Sequence, residues 1–339
     1  MSEIQVRAFN GNHVAPAAEL LAARQRRDRL VVGALSPALE QADVCEAMVA
    51  TLHANSRGDG VVAEQDGRLV GLMFGERMTF APTEFPSMFI LPHSISIPVQ
   101  GHAVAQGTPA FPVYRAMYTE LAALWVRQGF FDHQTHIFAA DAELQEAWVA
   151  LGFGRTTTAA IRPTIEPVAG AQSSQGREVR RAAEEDLEVV MALGDTLFRF
   201  HSLSPIFWPF LGEPQPAARA YQRGMLSDPA NGYFVAYDQE RPVAMQTYVV
   251  QGFQPPIVPL EGNVYLFEGV VEPDVRGGGL GTQLLAHGLA WAKEQGHDFC
   301  TLHFASANPS GGPFWLGHGF VPVEYTMVRH VDERVAWAS

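Results

Sequence analysis

Val275 to Gly281 reads Val-Arg-Gly-Gly-Gly-Leu-Gly, four glycines in seven residues behind an arginine. The run lies between an apolar stretch, 263–271, and an amphipathic stretch that starts near Leu280. A helix start leaves its first N–H groups unpaired and carries the positive end of the macrodipole, so it attracts anions, phosphate above all. Glycines ahead of it let the backbone close around such an anion. Two common phosphate loops are excluded by spacing. GxGxxG needs a glycine where Leu284 stands, and no Lys-Ser or Lys-Thr follows to complete GxxxxGK[ST].

Two residues near this elbow could move protons. Glu268 sits inside the apolar run Tyr-Leu-Phe-Glu-Gly-Val-Val, 265–271. A carboxylate there is costly to bury unpaired, and burial raises its pKa toward that of a useful base. A structural pair at a sheet edge is the alternative. His303, five residues before Asn308, belongs to the one residue type that titrates near neutrality unperturbed. It is a rival base unless it is only hydrogen-bonded in place. His201, in the aromatic loop 197–210, reads as a substrate contact. Phe198, Phe207 and Trp208 beside it offer either an apolar wall for a substrate or a seam between domains.

The elements that must position these groups occur twice. Residues 163–177, rich in Pro, Gly, Ser and Gln, read as a linker between a first half, 1–162, and a second, 178–339. Each half has two helical stretches around a Leu-Ser-Pro, then a strand–turn–strand with a central Gln-Asp-Gly-Arg or Asp-Gln-Glu-Arg. Another strand follows, then a long helix near 111–129 or 280–296, then a strand near 134–139 or 299–305. Both halves close on a short helix ending in Gly-Phe. Trp148 and Trp315 each stand seven residues after Asp141 or Asn308. The repeated order predicts a duplicated α/β domain.

Arg276-x-x-Gly279-x-Gly281, preceded by Val-Glu-Pro-Asp-Val and followed by Asn308 and a late Gly-Phe, resembles the R/Q-x-x-G-x-G/A motif of the GNAT superfamily of N-acetyltransferases. The resemblance implies an α/β (α+β) fold of two tandem GNAT-like domains, each a mixed, mostly antiparallel twisted sheet flanked by helices. It implies acetyl-CoA as acetyl donor, its pyrophosphate held by Arg276, Gly277, Gly278, Gly279, Leu280, Gly281 and Thr282. Backbone N–H groups of Gly269, Val270 and Val271 would hold the pantetheine and polarise the thioester, where the strand splays from its neighbour. Asn308 would reach the pantetheine amide. Glu268 and His303 fall where different members of the family place a catalytic glutamate. The family's tyrosine acid is replaced by Trp315, whose indole is no useful acid.

In the first half the motif is missing. Pro109 and Pro112 occupy the start of the helix and remove the donors a phosphate needs, and Asp141 replaces the asparagine. That half is expected to be degenerate. The implied activity is transfer of acetyl to a primary amine of a small molecule, by direct attack in a ternary complex. The tandem layout is also similar to that of mycothiol synthases, which acetylate a cysteinyl amine. Two alternatives stay open: a non-catalytic acyl-CoA sensor, and a protein acetyltransferase that docks its target on the first domain.

Composition reads as globular rather than disordered. The 339 residues are 47% hydrophobic and 17% charged, with a formal net charge of −13. That charge speaks against nucleic acid or an anionic membrane as partner. Cys45 and Cys300 form neither a CxxC nor a Cys/His cluster, so no metal site is expected. The first residues show no signal-peptide pattern and no run is long enough to span a bilayer, so the expected location is the cytoplasm.

Overall fold

The computed structural model describes residues 3–170 and 177–337. In the first half, β1 (Gln5–Ala8), α1 (Val14–Val31) and α2 (Ala42–Asn55) lead into the hairpin of β2 (Gly60–Gln65) and β3 (Arg68–Phe74). Asp66 and Gly67 turn it with φ of +53° and +72°, the left-handed pair that an Asp-Gly hairpin uses. Next come β4 (Glu76–Met78), β5 (Ser94–Ile97), β6 (His102–Val104), α3 (Ala110–Arg127), β7 (Asp132–Phe138), α4 (Ala142–Ala150) and β8 (Gly154–Pro163).

The second half repeats the order. β9 (Glu178–Arg181), α5 (Leu187–His201) and α6 (Gln215–Ser227) precede the hairpin of β10 (Gly232–Asp238) and β11 (Arg241–Val249). β12 (Asn263–Val271), α7 (Leu280–Glu294), β13 (Phe299–Ala305), α8 (Gly311–Gly317) and β14 (Val321–His330) complete it. The mixed, mostly antiparallel architecture expected from sequence is present. Only β5–β7 and β12–β13 pair in parallel among the described strands.

The pairing itself departs from two self-contained sheets. One four-stranded sheet runs β1-β2-β3-β6, and one ten-stranded sheet runs β4-β5-β7-β14-β8-β13-β12-β11-β10-β9. The last strands are exchanged. β8 of the first half pairs with β13, from Phe299↔Pro163 to Ala305↔Thr157. β14 of the second half pairs with β7, from Glu324↔Phe138 to His330↔Asp132. Of the linker at 163–177, Thr164 is tied down by its N–H to Asp298 O at 2.9 Å and its hydroxyl to His297 O at 2.6 Å. Residues 171–176 lie outside the described residues.

Helices cover both faces of the second half's strands. Leu280, Leu284, Leu285 and Leu289 recur on one face of α7 and are buried against Phe234, Tyr248 and Leu266. Each such leucine contributes on the order of 2 kcal/mol on leaving water. Gly288 lets α7 settle, since a methyl there would come within 2.2 Å of the Tyr248 ring. On the opposite face, Leu187, Val190 and Leu193 of α5 bury against Tyr233, Met245 and Val270.

A β-bulge lies where these two layers meet the site. Thr247 pairs with Glu268 but Tyr248 pairs with Leu266, leaving Phe267 as the extra residue. The bulge reverses the side-chain alternation. Leu266 faces the α7 core, whereas Glu268 reaches Gln222 on α6.

Among the described residues no helix is long and apolar enough to cross a membrane, and no group of His, Cys, Asp or Glu could hold a metal ion.

Candidate active site

The glycine run does form an open elbow at a helix start. Gly277 and Gly279 take φ of +82° and +79°, and a Cβ at either would meet nothing within 4 Å. Gly279 is the N-cap of α7 and supplies no side-chain cap, so the first-turn N–H groups are left for a ligand. Arg276 is held over this elbow, its Nε donating to Val271 O at 2.9 Å and its guanidinium 4.9 Å from the Phe200 ring. From below, Tyr248 donates to Gln246 Oε1 at 2.7 Å and Gln246 Nε2 donates to Gly281 O at 3.3 Å. The elbow is thereby pinned to β11. Thr282 contacts His318 Nε2 at 3.1 Å.

Beside the elbow, β12 and β13 part company. Their pairing runs from Asn263↔Phe299 to Leu266↔Leu302 and stops, although β12 continues to Val271 and β13 to Ala305. The gap widens into a cleft of about 510 Å³. Its lining gathers Gly269, Val270, Val271, Arg276, Gly277, Gly279, Leu280, Gly281, Thr282, His303, Asn308 and Trp315 from the sequence reading, together with His201. Gly278 is outside the lining, facing Arg177 Nη1 at 3.5 Å from a would-be Cβ.

Asn308 is 8% exposed, and its Oδ1 accepts from the N–H groups of Ser310 at 3.0 Å and Gly311 at 2.8 Å. Its oxygen is committed to the start of α8, and Nδ2 is the atom that could face a ligand. Trp315 is core rather than acid. It is 8% exposed, and a Cβ on Gly269 would lie 3.1 Å from its six-membered ring. The larger ring fills the space beneath a strand that glycine allows it to approach.

The two base candidates separate. His303 lines the cleft with Nδ1 2.8 Å from the Tyr265 hydroxyl, and burial lowers its pKa to about 4. It is a neutral imidazole at pH 7 and a weak base. Glu268 opens on a second cavity beyond β12, with Phe267 lining both spaces. Its carboxyl is 4% exposed, and burial raises its pKa to about 8. Gln222 Nε2 donates to Oε1 at 3.0 Å and Oε2 has no partner. A carboxylate in that state is a stronger base than any exposed one.

The aromatic loop divides likewise. Burial lowers the pKa of His201 to about 4, and its ring meets Trp208 edge-on at 5.4 Å. Phe198 lines the second cavity and lies 6.2 Å from Phe89 of the first half, so it is at once wall and seam. Phe207 is 69% exposed and lines neither space, and Trp208 also lies outside both linings. Sequence reasoning missed Phe85, Met88 and Phe89, which close the second cavity from the first half. The cluster of phenylalanines among prolines at 85–92 was the available signal.

Residues 199–320 match the model of the acetyltransferase (GNAT) family. The second half carries a GNAT domain. Over the whole chain the fold is similar to that of a GCN5-related N-acetyltransferase from Sphaerobacter thermophilus, at 13% identity and a TM-score of 0.61, covering 96% of this chain and 95% of that one. It is also similar to a tandem GNAT protein from the clavulanic acid biosynthesis pathway, at 13% identity and a TM-score of 0.52, covering 97% and 98%. These likenesses concern the fold. No curated protein matches the chain significantly in sequence.

Against the GNAT domain, the first half repeats the order of elements, and a cavity of about 340 Å³ lined by Arg24, Arg27, Ala110 and Asp141 lies at the start of its long helix. Its strands also part, β5–β7 pairing ending at Ile97↔Thr135. Buried His102 spans the break, one ring nitrogen 2.8 Å from His136 O and the other 2.8 Å from the Tyr114 hydroxyl. Burial lowers its pKa to about 3, so the ring is neutral, donating from Nε2 and accepting at Nδ1. Arg24 also fills the break, donating to Val99 O at 2.6 Å. At the GNAT cradle's counterpart, α3 follows Pro109, and its Ala110 N–H donates to Glu143 Oε1 at 2.9 Å.

Proposed function

We propose that the protein is an acetyl-CoA-dependent N-acetyltransferase with one working cofactor site, in its second half, acting on a primary amine of a small molecule. The observation that carries this reading is the open, uncapped glycine elbow at the start of α7 beside the parting of β12 and β13. A run of N–H donors without a side-chain cap fits a pyrophosphate there, and the parted strands fit an extended amide-bearing arm.

Acetyl-CoA supplies the acetyl group as a thioester. Residues 276–282 would hold its anionic end, and Asn308 Nδ2 and the backbone of Gly269 to Val271 would hold and polarise the remainder. The amine nitrogen bonds to the carbonyl carbon, the carbon–sulfur bond breaks, and CoA leaves as the thiolate. Glu268 accepts the ammonium proton before attack, directly or through a water, and the second proton, shed by the nitrogen as the amide forms, goes to the departing thiolate. A thiol of pKa near 8.5 leaves with little help, so Trp315 in place of an acid is compatible with turnover. Trp315 also favours a second reading, an acyl-CoA sensor without catalysis. Thiol release from acetyl-CoA across a panel of amines separates them: turnover with an amine supports the enzyme, and tight CoA binding without turnover supports the sensor.

A further inference from the structure

The cavity that holds Glu268 is walled by both halves of the chain. Val190, Met191 and Phe198 come from α5, and Phe85, Met88 and Phe89 come from the first half. Its free space, about 20 Å³, has room for one water or one ammonium head. At its floor, Glu268 presents the oxygen that no protein group satisfies. Gly194 stands opposite, where a Cβ would be 3.6 Å from that oxygen, so the helix leaves it uncovered.

The lining rings Phe85 and Phe89 belong to a wider aromatic cluster. Phe85 stacks on Tyr221 at 4.1 Å, and Phe89 lies 5.9 Å from Phe253 and 6.3 Å from Phe267. Phe89 and Phe253 remain 43% and 47% exposed, unusual for rings with neighbours so close. No Arg, Lys or His lines the cavity among the described residues, and Asp195 is the other charged group in it.

A buried carboxylate oxygen without a donor is left at a cost that an ammonium removes. Aromatic faces attract that cation and stack on a flat apolar body. A substrate carboxylate or phosphate would find no counter-charge and would be repelled by Asp195. We propose that this cavity is the acceptor site and that it selects a primary amine with an aromatic, otherwise uncharged body. The ammonium enters against Glu268, and the body lies along Phe89 and Phe253. The first half then helps to choose the substrate. The inference rests on the acetyl-transfer reading above for its reaction, but not for its binding.

The test uses the full chain with acetyl-CoA and three amines: phenethylamine, glucosamine and serine. Phenethylamine should show the highest kcat/KM, at least tenfold above the other two. Phe89→Ala should lower that value at least tenfold, mainly through KM, with the calorimetric Kd for CoA unchanged. Preference for glucosamine or serine, or an equal loss for all three amines in Phe89→Ala, overturns the proposal. Direct calorimetry of phenethylamine against the CoA-bound protein separates the two claims. Binding that Phe89→Ala abolishes, without turnover, upholds the site and overturns acetyl transfer. No phenethylamine binding overturns the site.

Discussion

Glu143 on α4 accepts the Ala110 N–H at 2.9 Å, so the first half places its own carboxylate where the second half leaves helix donors open. Asp141 is equally committed, accepting from Leu144 N at 2.9 Å and paired with Arg27 at 3.2 Å. A CoA pyrophosphate would have to displace one acid and approach another. Titration calorimetry should therefore give one CoA per chain, and Arg276→Glu with Gly279→Val should abolish binding. Two sites, or residual binding in that variant, would contradict the assignment of the first half.

The cradle itself has a strict size limit at one position. A Cβ at Gly281 would already lie 3.4 Å from the Phe314 ring and 3.7 Å from Val271 Cγ2. Valine adds two methyls to that contact, and at Gly279 it would also face a φ of +79°. Either substitution should raise the Kd for CoA at least tenfold, about 1.4 kcal/mol. Calorimetry on variants whose melting temperature stays close to that of the parent checks it.

With Glu268 as the proposed base, catalysis should couple to pH in a definite direction. Burial raises its pKa from 4.5 to about 8. Its ionised form, the base, is populated above that value, so kcat/KM should rise with pH through an acid limb near 8. Glu268→Gln should remove the limb and lower turnover roughly a hundredfold with CoA binding intact. Stability runs the opposite way. The unfolded chain ionises this group from 4.5 upward and the folded chain does not until about 8. The contribution is complete below pH 4.5 and lost as pH rises through 8. The melting temperature of the parent should fall relative to that of Glu268→Gln as the pH rises across that window. Parallel curves would show that Glu268 is not buried as a neutral acid.

Gly269 and Trp315 form a matched pair. Gly269→Ala sets a methyl 3.1 Å from the indole and should destabilise the fold by about 1–3 kcal/mol. Trp315→Phe makes room beneath it, so the double variant should lose less than the sum of the two single losses. Additive losses in thermal unfolding would mean that the two do not share the space.

The cradle was legible in the sequence because its physics is local. Glycine spacing, an apolar strand before it and an amphipathic helix after it all lie within some thirty residues. The buried, base-like environment of Glu268 was also readable from the apolar run around it. Which side of the strand it faces was not, because a one-residue bulge at Phe267 decides that and carries no sequence mark. Phe85 and Phe89 were missed for a related reason. They sit on a single 3-10 turn and its C-terminal cap, too short for any periodicity, and their partners Tyr221 and Phe253 are far along the chain. Strand alternation likewise names a buried face but no neighbour, so the exchange of β8 and β14 could not be read from either half.

That exchange makes the two halves inseparable by cutting the chain between them. With β8 seated beside β13 and β14 beside β7, each half owns a strand in the interior of the other's sheet. A polypeptide severed between Thr164 and Glu178 would still be one particle, its pieces clasped like linked hands. A gene divided there would encode two fragments, each with an empty slot and an exposed ladder of unpaired amides, a poor starting point for a free-standing protein. The arrangement commits the half whose Ala110 N–H is taken by Glu143 to remain with the half whose helix start carries no side-chain cap.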